Sequence, residues 1–192
     1  MSHGYVPVGA AAVVEVRRRL ALAAQRAGRP PDSVRLVAVT KGVDVGRIEE
    51  VLTAGVGDLG ESRAQELLAK APELAPYAPA WHFVGRLQRN KVPALAPHVA
   101  LWHSVDRAEA GEAIARRQPG GRVLVEVNTS DEPQKGGCRP VDAPALVETL
   151  RARGLSVEGL MTVPAAGPDP RPAFASLREL AARLDLAELS MG

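Results

Sequence analysis

The sequence has a single cysteine, Cys138, among its 192 residues. One cysteine excludes an internal disulfide, and it also excludes a metal site built from several thiolates. The four histidines do not supply the missing ligands, because none of them forms a metal-binding spacing such as H-E-x-x-H. No G-x-S-x-G segment is present, so the chain lacks the nucleophile elbow of the α/β-hydrolases. A chain so poor in cysteine suits a reducing compartment, and we expect it in the cytoplasm.

Aromatic residues make up only 3% of the chain, too few for the stacking platforms of proteins that bind single-stranded nucleic acid. The formal net charge is +2, and the Lys and Arg residues are spread among Asp and Glu. Because no basic cluster stands out, nucleic acid is not an expected partner. No apolar run approaches the roughly 20 residues that span a bilayer, so we expect no membrane partner either.

The sequence does contain a regular alternation of strand-like and helical segments. An amphipathic helix is predicted within residues 1–30. Seven strands are predicted after it: Val34–Thr40, Asp58–Glu61, Trp81–Gly85, Leu101–Val105, Arg122–Asn128, Val157–Val163 and Leu186–Met191. Helical patterns lie between the strands. This alternation predicts an α/β fold with a parallel sheet covered by helices, and we expect one domain over residues 1–192, with βα units from residue 34 to 192.

Two closures of such a sheet compete, an open doubly wound sheet and a (β/α)8 barrel of the TIM type. Several predicted strands end in polar residues: Lys41, Glu61, Asp106 and Asn128. An open sheet needs such residues only at its switch point, whereas all the strand ends of a barrel face one mouth. We therefore predict the barrel. Because seven strands are one fewer than eight, we expect it to lack its C-terminal strand in this chain.

Lys41 follows the first predicted strand, which we expect to be buried on both faces, and it precedes Gly42. This is the place where α/β folds put their chemistry. A lysine partly removed from water there has a lowered pKa and becomes a usable amine nucleophile. Such an amine forms Schiff bases with aldehydes and ketones, including pyridoxal phosphate. A surface lysine that extends from a strand end into water is the alternative, and this segment alone leaves both open.

Other motifs have an ordinary interpretation beside the functional one. Gly55–Gly60 matches G-x-G-x-x-G, but no strand precedes it, so we expect these glycines to end a helix. His82 either points into the barrel or is a hydrogen-bonded core residue. The basic residues of 86–91 either bind phosphate or an acidic partner, or form a solvated helix face. In a glycine-rich loop, Lys135 is expected to be a surface residue and Cys138 a bystander that exposure would leave oxidisable.

Seven segments occur in a characteristic order: Val39–Lys41, Gly60–Ser62, Trp81–Lys91, His103–Arg107, Val125–Asn128, Gly159–Met161 and Leu189–Gly192. The most specific of them reads W-H-F-x-G-x-L-Q-x-N-K. In this set and order the chain resembles the pyridoxal phosphate homeostasis proteins, also called the proline synthase co-transcribed homologue family. The resemblance covers nearly the whole chain from Val34 on. It implies a single-domain barrel of the alanine racemase N-terminal type.

The same resemblance implies a cofactor. It implies that pyridoxal 5'-phosphate is held as an internal aldimine on Lys41, with no catalytic turnover and no metal. The cofactor-binding residues that it implies are Lys41, Ser62, His82, Met161 and Ser190. Members of the family are thought to store, deliver or buffer this reactive aldehyde form of vitamin B6. The expected partners are therefore the cofactor itself and the apo-enzymes that need it, and we expect a monomer.

Two departures from the family pattern concern the expected contacts with the cofactor. Ser62 stands where the family usually has asparagine, so a cofactor contact is expected to be lost or to pass through water. Relatives continue past the final Ser-Met-Gly into a phosphate-binding turn, which leaves Ser190 as the phosphate-side residue expected here. The alternative function is a pyridoxal phosphate-dependent racemase or lyase. Racemases of this fold take a second acid or base from a separate domain, for which this chain has no room.

Overall fold

The computed structural model describes residues 9–130, 132, 135–164 and 169–192. His3 lies outside the described residues, and so do residues 165–168 of the segment 164–172, which its proline and glycine content predicts to be a surface loop. The chain divides into two compact units, the first ending at Trp81 and the second spanning His82–Gly192. The expectation of one domain over residues 1–192 stays a prediction.

Strands and helices alternate along the described residues, as the sequence predicts. The strands are β1 (Val37–Val39), β2 (Asp58–Glu61), β3 (Ala80–Phe83), β4 (Val99–Val105), β5 (Arg122–Glu126), β6 (Ser156–Thr162) and β7 (Glu188–Met191). The α-helices are α1 (Ala10–Arg26), α2 (Val45–Thr53), α3 (Ala64–Glu73), α4 (Val92–Leu95), α5 (Ala108–Arg117), α6 (Ala143–Ala152) and α7 (Arg171–Arg183). Every predicted strand is therefore present, with ends that move by up to three residues. None of the helices within the described ranges is long and apolar enough to cross a bilayer.

The first unit contains the amphipathic helix α1 and the parallel pair β1–β2. Val13 and Ala24 are the buried residues of α1, as its apolar face predicts. In the strand pair, Val37 is opposite Asp58 and Val39 is opposite Gly60. Val39 is 50% exposed, so the prediction of a first strand buried on both faces is wrong. The reason is that, within the described part of the chain, β1 pairs with β2 on one side and its other edge is open.

The second unit contains the parallel strands β4, β5, β6 and β7, paired in that order. Leu101, Leu124 and Met161 form an apolar cluster among these strands. Trp102 is almost fully buried, and its indole N–H donates to Gln118 Oε1 at 2.9 Å, which satisfies the polar atom of this large core residue. Because the strands are parallel, their carboxyl ends lie at one edge of the sheet.

Candidate functional site

Lys41 lies at the carboxyl end of β1, two residues beyond Val39. Its side chain is exposed, and its ammonium makes no hydrogen bond or ion pair with the described residues. Of the two alternatives that the segment leaves open, the structure shows the lysine that extends into water within the described part of the chain, because the open edge of β1 leaves its side chain in solvent. Gly42 has a φ of 70°, a left-handed conformation that glycine adopts without strain. Asp44 follows this turn, and its carboxylate accepts from Arg47 N at 3.0 Å and caps α2.

A buried ionic cluster lies beneath this turn, made of Glu61, Glu66 and Lys70. Glu61 has no exposed surface, and Lys70 is only 7% exposed. The Lys70 ammonium donates to Glu61 Oε2 at 2.9 Å, to Glu66 Oε2 at 2.7 Å and to Thr40 O at 2.7 Å. These three bonds use all three N–H donors of the ammonium.

The cluster also binds the backbone of the residue that follows Lys41. Glu66 Oε2 accepts from the backbone N–H of Gly42 at 2.7 Å. Before Lys41, the hydroxyl of Thr40 donates to Glu61 Oε2 at 3.0 Å. The residues before and after Lys41 are therefore both bonded to the same ionic cluster. Sequence reasoning missed it: the i, i+4 spacing of Glu66 and Lys70 was visible, but such pairs are ordinarily exposed.

Two pKa values report the charge state of the cluster. The hydrogen bond from Lys70, followed by that from Gly42 N–H, lowers the pKa of Glu66 to about 2. Burial acts to lower the pKa of Lys70, but its hydrogen bonds with Glu66 and Glu61 outweigh burial and raise that pKa above its ordinary value. The Lys70 amine is therefore held charged, which removes its nucleophilicity.

Ser62 follows β2 and is half-buried. The next helix, α3, begins after Arg63 with no side-chain cap, so Ser62 does not cap it. Glu61 Oε1 accepts from Ser62 N at 2.9 Å and from Arg63 N at 3.4 Å, which fixes the backbone between β2 and α3. The hydroxyl of Ser62 bonds to none of the described residues, so it is available to a ligand.

Three polar side chains of the second unit are joined in a hydrogen-bonded chain. His82 is 2% exposed and His103 is 4% exposed. His82 Nδ1 lies 2.8 Å from His103 Nε2, and His103 Nδ1 lies 2.9 Å from Ser190 Oγ. His82 is therefore the hydrogen-bonded core histidine of the two alternatives that the sequence left open. Each imidazole can be donor at one nitrogen and acceptor at the other, so the direction of the chain fixes whether Ser190 donates or accepts.

Met161 lies next to this chain in the strand register, opposite Ser190 in the β6–β7 pair. It is buried in the apolar cluster with Leu101 and Leu124. Among the sequence-predicted site residues, the second unit thus groups His82, Met161 and Ser190. In the first unit, Lys41 and Ser62 share their bonding to the ionic cluster through the neighbouring backbone.

Glu126 ends β5 and is a residue that sequence reasoning did not single out. Burial raises its pKa to about 7, the charge of Asp106 raises it further, and the charge of Arg86 lowers it. The loop at Gly136 lies against it, since a Cβ on Gly136 would be 3.0 Å from Glu126 Oε1. Glu126 is therefore a carboxyl group poised to exchange a proton near neutral pH.

Cys138 is half-buried, so the exposure that would leave its thiol oxidisable is only partial. Burial raises its pKa from 9.0 to about 11, to which nearby carboxylates including Asp142 add. We predict that iodoacetamide alkylates Cys138 at pH 7.5 about 100-fold more slowly than a small free thiol, because only the thiolate reacts. Mass spectrometry of the labelled peptide over time measures the rate. A rate equal to that of N-acetylcysteine would contradict the assignment.

The remaining motifs are structural or solvated. Lys135 is not a free surface lysine, because its ammonium donates to Pro164 O at 2.8 Å and pairs with Glu132 at 2.7 Å. Gly55 follows α2 with a φ of 84°, so it ends that helix as predicted. Arg89 lines an open groove of about 540 Å³ together with Glu109, so the basic segment faces carboxylates there. Among the described residues no group of three His, Cys, Asp or Glu side chains could hold a metal ion.

Comparison with known proteins gives the relationship of the chain. No family model matches it. The pyridoxal phosphate homeostasis protein of Pseudomonas aeruginosa is 40% identical over 190 residues, which cover 94% of this chain and 83% of the relative. That of Aquifex aeolicus is 39% identical over 191 residues, covering 92% and 84%.

Solved structures agree with these relatives. PipY of Synechococcus elongatus PCC7942, in a structure with pyridoxal phosphate bound, superposes with a TM-score of 0.76 at 32% identity, over 90% of this chain and 87% of PipY. The alanine racemase of Corynebacterium glutamicum superposes with a TM-score of 0.63 at 15% identity, over 89% of this chain and 51% of the racemase. The racemase likeness concerns the fold alone, and it confirms the predicted α/β barrel of the TIM type. Seven strands of that fold are present among the described residues. From its identity to curated relatives over most of both chains, the chain belongs to the pyridoxal phosphate homeostasis protein family.

Proposed function

We propose that this protein binds pyridoxal 5'-phosphate for cofactor homeostasis, with a covalent Schiff-base linkage to Lys41 and without catalytic turnover. The observation that carries the proposal is the state of the Lys41 amine, which is exposed and free of partners among the described residues. Lys70 and Lys135, by contrast, are held in ion pairs. The amine of a lysine condenses with the cofactor aldehyde with loss of water, and this reaction needs an accessible, unpaired nitrogen.

The residues of the chain fit the other parts of the cofactor. Pyridoxal phosphate carries a phosphate and a phenolic oxygen, which hydroxyl and imidazole groups bind well. Ser62 offers a hydroxyl in the first unit, and Ser190 offers one that His103 orients in the second. We therefore propose cofactor-binding roles for Lys41, Ser62, His82, Met161 and Ser190, with His82 acting through His103.

The absence of turnover is also a proposal, supported by the groups around Lys41. Reactions of amino acids on this cofactor need a free acid or base to move the α-proton. In the first unit, Glu61 and Glu66 both accept a hydrogen bond from Lys70, and Glu66 has a pKa of about 2. The lowered pKa of Glu66 and the raised pKa of Lys70 keep both groups charged at neutral pH, so neither is poised to exchange a proton there. A cofactor store in the cytoplasm, acting as a monomer that supplies apo-enzymes, is the role that we propose.

The proposal predicts a selective loss when Lys41 is replaced. Lys41→Ala and Lys41→Arg are expected to abolish the visible absorbance that pyridoxal phosphate acquires on binding an amine. They are also expected to weaken binding by about 100-fold, which corresponds to about 2.7 kcal/mol. Titration with pyridoxal phosphate, followed by absorbance and fluorescence, measures both effects. Lys91→Ala is the matched control; if it removed the absorbance and the Lys41 variants did not, the attachment site would be wrong.

A racemase or lyase is the second candidate, and Glu126 is the observation in its favour. Its pKa of about 7 is in the range suited to a general acid or base at neutral pH. Incubation of the loaded protein with L-amino acids in D2O tests this candidate by NMR. Carriage without turnover predicts no exchange of the α-proton beyond that caused by free pyridoxal phosphate. Faster exchange that Glu126→Gln abolishes would establish an enzyme instead.

A further inference from the structure

We propose that Glu61, Glu66 and Lys70 are positioning residues that fix the place of the Lys41 amine by holding the peptide groups on both sides of it. The proposal rests on the proposed function, in which Lys41 carries the cofactor. It goes beyond that function by assigning a purpose to three charged residues that do not themselves bind the cofactor.

Hydrogen bonds connect the backbone on both sides of Lys41 to this cluster. The carbonyl of Thr40 accepts from Lys70 Nζ at 2.7 Å, and the N–H of Gly42 donates to Glu66 Oε2 at 2.7 Å. Lys70 and Glu66 are themselves bonded at 2.7 Å. The backbone before Lys41 and the backbone after it are thus tied to one ion pair on α3. Hydrogen bonds to charged groups are about twice as strong as neutral ones, so this connection is firm.

The depth of the cluster argues for a role in geometry. Glu61 has no exposed surface and Lys70 is 7% exposed, so both charges have been taken out of water. A buried ion pair is weak as a source of stability, because the desolvation penalty offsets much of its Coulomb energy. The charged side chains do, however, orient the backbone groups to which they are hydrogen-bonded. They fix the peptide groups on either side of the turn at Gly42, whose φ is 70° and whose own Cβ position faces open space.

The cluster also affects which lysine amine of the first unit can react with an aldehyde. Lys70 is bonded to the residue just before Lys41, yet its three donors are all engaged. An ammonium in this state does not attack an aldehyde. The same three residues therefore hold Lys41 in place and keep the other lysine of the first unit out of the reaction.

Glu66→Gln tests the proposal with little risk to folding, because its side chain is 23% exposed and glutamine keeps its shape. The variant loses the charge that binds Gly42 N–H and Lys70. We expect the Gly42 amide to exchange with solvent at least tenfold faster in the cofactor-free protein, measured by NMR. We expect pyridoxal phosphate to bind Lys41 about tenfold more weakly, and a borohydride-fixed adduct to become detectable on Lys70.

Glu112→Gln is the matched control, since Glu112 pairs with Arg116 at 2.7 Å in the same i, i+4 arrangement on α5. It is expected to change neither quantity. Lys70→Met, which removes the ammonium, is expected to reproduce the faster Gly42 exchange. Unchanged Gly42 exchange in Glu66→Gln would overturn the proposal, and so would faster exchange with unchanged binding at Lys41. The proposed function is judged separately by the wild-type protein: if it forms no adduct on Lys41, that function fails, while the Gly42 exchange still reports on the cluster.

Discussion

Replacing Gly159 by alanine is expected to lower the thermal midpoint by roughly 5–10 °C, which corresponds to about 3 kcal/mol for a chain of this size. Gly159 lies in β6 opposite Glu188 of β7. A Cβ at this position would overlap the backbone carbonyl of Glu188 and lie 2.8 Å from its Cβ. Backbone atoms do not rotate away as a flexible side chain would, so β7 has to shift and lose ladder hydrogen bonds. Differential scanning calorimetry measures the midpoint.

The same substitution is expected to disturb Ser190, because Ser190 is two residues beyond Glu188 in the same ladder. Its hydrogen bond with His103 at 2.9 Å should lengthen or break, which would move the imidazole signals of His103 in an NMR spectrum. Gly57→Ala is the matched control, since a Cβ on Gly57 would meet no atom within 4 Å. Equal midpoints for the two variants would contradict the packing of β6 against β7.

The second large effect concerns Glu126, whose pKa is raised by burial to about 7 in the folded protein. In the unfolded chain the ordinary value of 4.5 applies. Between these two values the folded protein binds a proton that the unfolded chain has released, so stability falls as the pH rises from 4.5 to 7. Above pH 7 the folded protein carries the whole unfavourable effect of a buried charge.

Glu126→Gln is therefore expected to stabilise the protein at pH 8 by roughly 2 kcal/mol and to have little effect at pH 4. Glutamine keeps the size of the side chain and cannot ionise. Thermal or urea unfolding of both proteins across pH 4–8 gives the difference. Glu179→Gln, on the exposed face of α7, is the control and should show no such dependence on pH. A stabilisation that is constant from pH 4 to pH 8 would contradict the raised pKa.

The order of strands and helices along the chain follows from local sequence signals. The strand Asp58–Glu61 has the bounds that were predicted, because Gly55 ends the helix before it and the apolar run is short. The run Val34–Thr40 was predicted to be longer and more buried than β1 is. Residue type shows that a segment is apolar, but the number of its neighbouring strands is decided by distant parts of the chain. The exposure of the Lys41 side chain has the same cause, because distant parts of the chain decide how many strands lie beside β1.

The candidate site was only partly visible in the sequence. Lys41 is indicated by its place after a strand, which is a local property, whereas Ser62 is implied only by the family resemblance. The burial of Lys70 depends on how α3 packs against the strand ends, so its i, i+4 spacing with Glu66 looked like that of a surface pair. Burial raises the pKa of Glu126, and the loop that lies against its carboxylate is at Gly136, where a Cβ would be 3.0 Å from Glu126 Oε1, a contact across ten residues that no periodicity indicates.

The assignment of the attachment site is tested most directly by mapping the adduct. The chain contains four lysines: Lys41, Lys70, Lys91 and Lys135. Wild-type protein is mixed with an equimolar amount of pyridoxal phosphate, reduced with borohydride, digested and mapped by tandem mass spectrometry. We expect the phosphopyridoxyl group to be found on Lys41, in at least tenfold excess over each of the other three lysines. An adduct found mainly on Lys91 or Lys135, or spread evenly over all four, would contradict it.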